Sequence, residues 1–211
     1  MAILEDGPNG GFRGKVGSVY GYNLNGKCVI RGARKKSTKP PTAAQLAHRQ
    51  KIKLVSKFCG WIKPIVNFGY QFEETKNSGR GKFQLAQQHI FKNALDVDVE
   101  NKPVINMEKV QVFVGDLVSP EGVQARWEDG LLKLSWIPNP KYGDSMFKLN
   151  VALVSLDREG DLKMAIADAA QGECTVDIAT FRKDKFDYHV YIGFWDTYHG
   201  AFSNSTYCGV I

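Results

Sequence analysis

At Pro103 the hydrophobic pattern of this chain changes period, and that change limits what each half can fold into. Beyond it, apolar residues alternate with polar ones in short segments near 107–114, 121–127, 131–137, 146–155, 162–166, 173–178, 187–195 and 203–210. GLLKLSW and FDYHVYIGFW show the alternation most clearly. Turn signals separate the segments: Glu128-Asp129-Gly130, Pro138-Asn139-Pro140, Asp157-Arg158-Glu159-Gly160 and Tyr198-His199-Gly200. Side chains of a strand point alternately to its two faces, so such segments bury one face each. Seven or eight of them at this spacing predict an antiparallel β-sandwich.

Before Pro103 the signals are of a different kind. Residues 1–14 are glycine-rich, with Gly7, Gly10, Gly11 and Gly14 around Pro8, and are expected to form a flexible arm. The Asn25-Gly26 pair between two β-prone runs predicts a hairpin with strands at about 16–24 and 27–32, because a type I′ turn needs residues tolerant of positive φ. A lone hairpin is marginal in water and must pack on something. Gly14, Gly17 and Gly21 fit neither a dinucleotide fingerprint nor a P-loop. Thr42 with Gln45 reads as a capping box opening a helix that runs to about Phe58. Ala43, Leu46, Ala47, Leu54, Phe58 and Trp61 share one face of it. Gly60 and Pro64 then break or kink the helix, and Phe83–Leu95 reads as another. The whole is an α+β chain: a basic part at 1–100 holding arm, hairpin and two helices, then an acidic sandwich at 101–211.

Charge divides the chain at nearly the same place. Residues 1–92 hold 17 Lys and Arg against 4 Asp and Glu, a net +13. Residues 93–211 hold 11 against 18, a net −7. No acid occurs between Asp6 and Glu73. Such a split marks two functionally different halves, the positive one suited to nucleic acid, an anionic surface or the acidic half of a neighbouring copy. The candidate polyanion-binding residues are Arg31, Arg34, Lys35, Lys36 and Lys39 before the helix, with Arg49, Lys51 and Lys53 on it. No aromatic residue interleaves the cations from Arg31 to Lys57, so a single-strand stacking platform is not expected. The very apolar segment after the helix offers Trp61, Ile65 and Phe68 to an oligomer interface, or to the core.

Little here points to catalysis. The cysteines Cys28, Cys59, Cys174 and Cys208 are scattered and form no CxxC pair, and the histidines supply no zinc spacing. Free cysteines suit a reducing compartment. No nucleophile elbow, HExxH or P-loop occurs. Asp96, Asp98 and Glu100 read as a solvated acidic loop. No enzymatic activity, cofactor or metal is expected. Residues 1–17 carry no secretory signal pattern, and no apolar run approaches the roughly 20 residues that span a bilayer. The expected setting is the cytoplasm or a virion-like assembly.

The pieces GFRGKVGSVYGY, NGKCVIRG and PPTAAQLAHRQKIKLVSKF resemble an uncharacterised bacterial family defined only as a domain of unknown function, and NMEKVQVFVGDL, LKLSW and YIGFW…SNSTY extend the likeness over nearly the whole chain. The resemblance implies a helical and hairpin N-terminal part with a sandwich-like C-terminal part, and no activity. Trp136 and the tyrosine-rich penultimate strand give that part the flavour of a fibronectin type III or immunoglobulin-like module, although the cysteines lack immunoglobulin spacing. The glycine–hairpin–basic–PTxAQxxxR layout is also similar to small proteins encoded among phage structural genes. The expected role is therefore a non-enzymatic, self-assembling structural protein, with a nucleic-acid-binding accessory protein as the alternative.

Overall fold

A computed structural model describes residues 2–4, 10–24, 26–35, 38–73, 80–128, 130–178 and 187–211. It is a mixed α+β structure that divides into two compact units, Met1–Gln45 and Leu46–Ile211.

The first unit is a four-stranded antiparallel sheet in chain order: β1 (Ala2–Leu4), β2 (Phe12–Val16), β3 (Val19–Leu24) and β4 (Lys27–Gly32). The expected arm is thus in part sheet, since both β1 and β2 lie in or border it. What looked like one strand at 16–24 is two, because Gly17 at φ +54 opens a two-residue turn between the paired Val16 and Val19. The predicted turn at 25–26 is present. Leu24 pairs with Lys27 and Gly26 takes φ +78, while Asn25 lies outside the described residues. Gly21 allows a close approach, for a Cβ there would sit 2.1 Å from the Phe12 carbonyl oxygen. Gly21 is also the only buried residue among those described in this unit.

Helix α1 (Ala43–Trp61) starts where the capping box requires. The Thr42 amide donates to Gln45 Oε1 at 3.1 Å, and the Gln45 amide to Thr42 Oγ1 at 3.3 Å. The helix passes Gly60 and ends one residue later. After Ile62, α2 (Lys63–Gly69) begins with Pro64 in its first turn, where a missing N–H costs nothing. α3 (Lys82–Asn93) matches the second predicted helix. The apolar face of α1 differs from the expected stripe. Residues 43–50 are exposed, with Leu46 47% exposed and the His48 ring meeting Phe91 edge-on, and full burial starts at Val55, Phe58 and Cys59.

The larger unit has two apolar clusters and one sheet that serves both. β5 (Leu95–Val97) pairs with β6 (Pro103–Ile105). β7 (Glu121–Glu128), β8 (Leu131–Ile137) and β11 (Glu173–Asp177) form a sheet in the order β11-β8-β7. β9 (Phe147–Val154), β10 (Asp161–Asp168), β12 (His189–Asp196), β13 (Ala201–Phe202) and β14 (Thr206–Val210) form another, with β9 between β10 and β12. Leu149, Val151 and Leu153 of β9 join Val190, Ile192 and Phe194 of β12 and Leu132, Leu134 and Trp136 of β8 in one cluster. Their alternates Ala152, Val154 and Tyr191 turn the other way, toward Phe58, Ile62, Ile65 and Ile90 of the helices. β9 and β12 are therefore covered on both faces, which is why both read as nearly continuous apolar runs. Within the larger unit the helices and the later strands thus close over one core.

One expected strand is absent. Residues 107–114 form a single 3₁₀ turn (Met107–Lys109) followed by irregular, largely buried chain that bends at Val112 and Phe113. The buried backbone there finds partners outside any ladder: the Val112 amide donates to Ser205 Oγ, Val114 to the Gly69 carbonyl, and Ser205 to the Phe113 carbonyl. Val110, Val112 and Phe113 are apolar because they fill the helix-side core.

Candidate functional site

The cations named from the sequence fall in both units. Arg31 is the penultimate residue of β4, and its guanidinium lies over the Tyr22 ring, 5.7 Å from the centroid. Arg34, Lys35 and Lys39 follow on exposed chain, and Lys36 lies outside the described residues. Arg49 and Lys53 are exposed on α1 and Lys51 is half-buried.

The register of the first sheet adds residues that were not singled out. Residues paired directly across antiparallel strands share a face. Lys15, Tyr20 and Arg31 stand in one row across β2, β3 and β4. Tyr22 with Val29, and Leu24 with Lys27, form the next two rows on that face. The opposite face carries the rows Val16–Val19–Gly32 and Gly14–Gly21–Ile30. One face thus carries the cations with Tyr20 and Tyr22; the other carries Val16, Val19 and Ile30 with Phe12, Asn23 and Cys28, and has no cation in these rows. The signal was in the sequence: two two-residue turns set the parity of every position between them.

The assembly candidates 61–68 are occupied within their own unit. Ile65 is fully buried; Trp61 and Phe68 are half-buried against the same core. Phe68 meets Phe113, Trp195 and Phe202 in an edge-on and tilted aromatic cluster.

Elsewhere in the larger unit the polar groups hold structure. Asp98 Oδ1 accepts from the amides of Glu100 and Lys102, and Asp96 takes Asn106 and Lys109, which hold its carboxyl below the usual range against some burial. Burial pushes Asp196 up. Hydrogen bonds from the His199 and Tyr198 amides and the His199 ring outweigh it, so the carboxyl stays below its ordinary value. Burial pushes the thiols of Cys59 and Cys208 up to about 12 and that of Cys174 to about 11, away from thiolate chemistry. An open cavity of about 610 Å³ lies over the outer face of β11-β8-β7, among Arg126, Lys133 and Glu173. A smaller one of about 280 Å³ runs between α1 and α3 past His48, Ile52 and Phe91. Among the described residues no group of three or more His, Cys, Asp and Glu could hold a metal ion, and no helix is long and apolar enough to cross a membrane.

A mixed α+β chain, with a basic four-stranded sheet in one unit and a helix-backed β structure in the other, is the class these features define. The chain belongs to DUF6266, a family of unknown function, which matches residues 11–209. No curated protein matches it. Among solved structures it is similar to the spore cortex lytic enzyme SleM of Clostridium perfringens, at 20% identity and a TM-score of 0.31, over 45% of this chain and 29% of that one. A likeness of that size carries no conclusion about fold or activity.

Proposed function

We propose that this chain is a non-enzymatic structural protein that self-assembles, as a phage-like virion or filament component would, with the basic sheet as its assembly element. The observation that carries the reading is a sheet with almost nothing buried. On the face opposite the cations Val16 is 50% and Ile30 60% exposed. Exposed apolar residues in one place mark a surface that something covers. The occupant is a second copy. The first unit carries 8 basic and 2 acidic residues, so two such units meeting face to face would repel. Contact with the acid-rich 93–211 region of a neighbour is attractive, and such a head-to-tail contact makes rings or open filaments. The two main sheets of the larger unit are read as a fibronectin III or immunoglobulin-like sandwich, supported by the cluster they share.

Light scattering tests it. The parent should give multiples of 23.5 kDa, and Ile30→Asp should return the mass to 23.5 kDa with unchanged circular dichroism. A parent that stays at 23.5 kDa across salt and concentration overturns the reading.

A second reading, a nucleic-acid accessory role for the basic 31–57 stretch, is favoured by the first half of α1, exposed on all sides with Arg49 in solvent. Replacing Arg34, Lys35 and Lys39 by Ser should then flatten the salt dependence of polyanion binding, by up to about 0.9 for each duplex phosphate left without its cation. An unchanged slope removes that role.

A further inference from the structure

We infer that the cationic face of the first sheet binds single-stranded nucleic acid, stacking bases on Tyr20 and on the Arg31–Tyr22 pair while Lys15 and Lys27 take phosphates. This goes beyond assembly and holds whether or not the chain self-associates.

The geometry is that of a base-stacking sheet. Tyr20 and Tyr22 stand two residues apart on β3, so their anchor points lie about 6.6 Å apart along the strand. Tyr20 is 40% exposed, a large aromatic surface left in water at the middle of a sheet rather than in a core. Cations flank it on both sides in the same row, Lys15 from β2 and Arg31 from β4. Arg31 already lies over Tyr22, which holds its planar guanidinium on the sheet face where a base can stack on it. Lys27 closes the far end of the face opposite Leu24, itself 53% exposed.

Charge decides the chemistry of the occupant. Among the described residues of this unit none is acidic, so no carboxylate among them competes for these cations. A purely phosphate-binding surface needs no aromatics. A duplex hides the faces of its bases, whereas a single strand offers them, and every base has one. The cationic run that follows, Arg34 and Lys35, extends the phosphate track beyond the sheet. The opposite face, with Val16, Val19 and Ile30, has no cation in these rows. The two faces thus suit different partners.

The experiment is a fluorescence-anisotropy titration of the full chain with a labelled oligothymidylate, a duplex of equal length and polyglutamate, between about 50 and 200 mM salt. The single strand should bind tightest. Tyr20→Ala should weaken it about 5- to 150-fold, the loss of one stacked base, while Tyr20→Phe keeps parent affinity because stacking needs the ring and not the hydroxyl. Lys15→Ser should lower the slope of log affinity against log salt by about 0.7, one single-strand phosphate. Because Tyr20→Ala could disturb the sheet, the parent is also photocrosslinked to a bromouracil-substituted strand, and the adduct is expected within 19–31. Crosslinks confined to 34–57, a duplex or polyglutamate bound as tightly as the single strand, or equal affinity of parent and Tyr20→Ala would each overturn the inference. Light scattering of Tyr20→Ala should match the parent, so that a failure of assembly is told apart from a failure of stacking.

Discussion

The two units solve the same problem in opposite ways. Residues 46–211 cover both faces of β9 and β12, with Leu153 turned to one cluster and Val154 to the other. Residues 1–45 form a sheet in which Gly21 alone is buried among those described, and Ile3, Val16, Leu24 and Ile30 stay at least half exposed. Hydrophobic burial is the main favourable term in folding, at about 25 cal/mol per Å². A unit that buries so little of itself keeps its apolar and aromatic groups for a partner. Binding chemistry therefore belongs on the unit that has not used up its surface.

The largest expected effect lies in the buried unit. Phe113 sits at 0% exposure against Phe68, Phe202 and Gly193, where a Cβ would come within 2.7 Å of its ring. Phe113→Ala should cost about 3–5 kcal/mol in denaturant unfolding followed by far-ultraviolet circular dichroism. A loss below about 1 kcal/mol would remove the contrast between the units.

Hydrogen exchange sharpens it. Amides of β9 and β12 should open only with global unfolding, and those of β2–β4 many-fold faster in the free chain. Saturating single strand or assembly should slow the latter alone. Equal protection in both units of the free chain would mean the sheet is as well supported as the core.

Acid is a gentler probe of the larger unit. The folded pKa of Asp196 is depressed, so the stability it contributes is complete above the unfolded value near about 4 and fades as pH falls through the lower folded value. Asp196→Asn should therefore destabilise at neutral pH and matter progressively less below about pH 4. A penalty that is flat with pH would show that the turn hydrogen bonds, rather than the charge, are what count.

The smallest effect belongs to the capping box. Thr42→Ala should cost about 0.5–2 kcal/mol of local helix stability. Residues 43–50 are exposed and touch α3 through the His48–Phe91 ring contact, so the change should appear as fraying of α1 and leave the unfolding midpoint of the larger unit in place.

Much of this was legible in the residues. Thr42 and Gln45 announced a helix start that needs only its own four residues, and the paired Leu24 and Lys27 close the turn that Asn25-Gly26 predicted. β7, β8, β9, β11 and β12 lie within two residues of their expected bounds, because alternation and turn residues are local properties. The apolar run 107–114 misled, since burial without a ladder has the same composition as a strand. The cationic face escaped notice for a related reason. Tyr20 and Arg31 are eleven positions apart in the chain, and only pairing makes them neighbours.

What the sequence by itself determined, then, is everything set within a few residues: caps, tight turns, periodicity, and an acid-free stretch from 7 to 72. Tertiary structure alone decided which apolar residues are core. Trp61, Ile65 and Phe68 are indistinguishable by composition from an interface, and it is the arrival of segments from far along the chain, Phe113 and Tyr191 among them, that buries Ile65 completely while Trp61 and Phe68 stay half-buried. It decided likewise that Tyr20 and Ile30 are not enclosed. Hydrophobicity states that a residue is better off out of water, but only the distant segments that reach it, or fail to, determine whether the chain meets that demand itself.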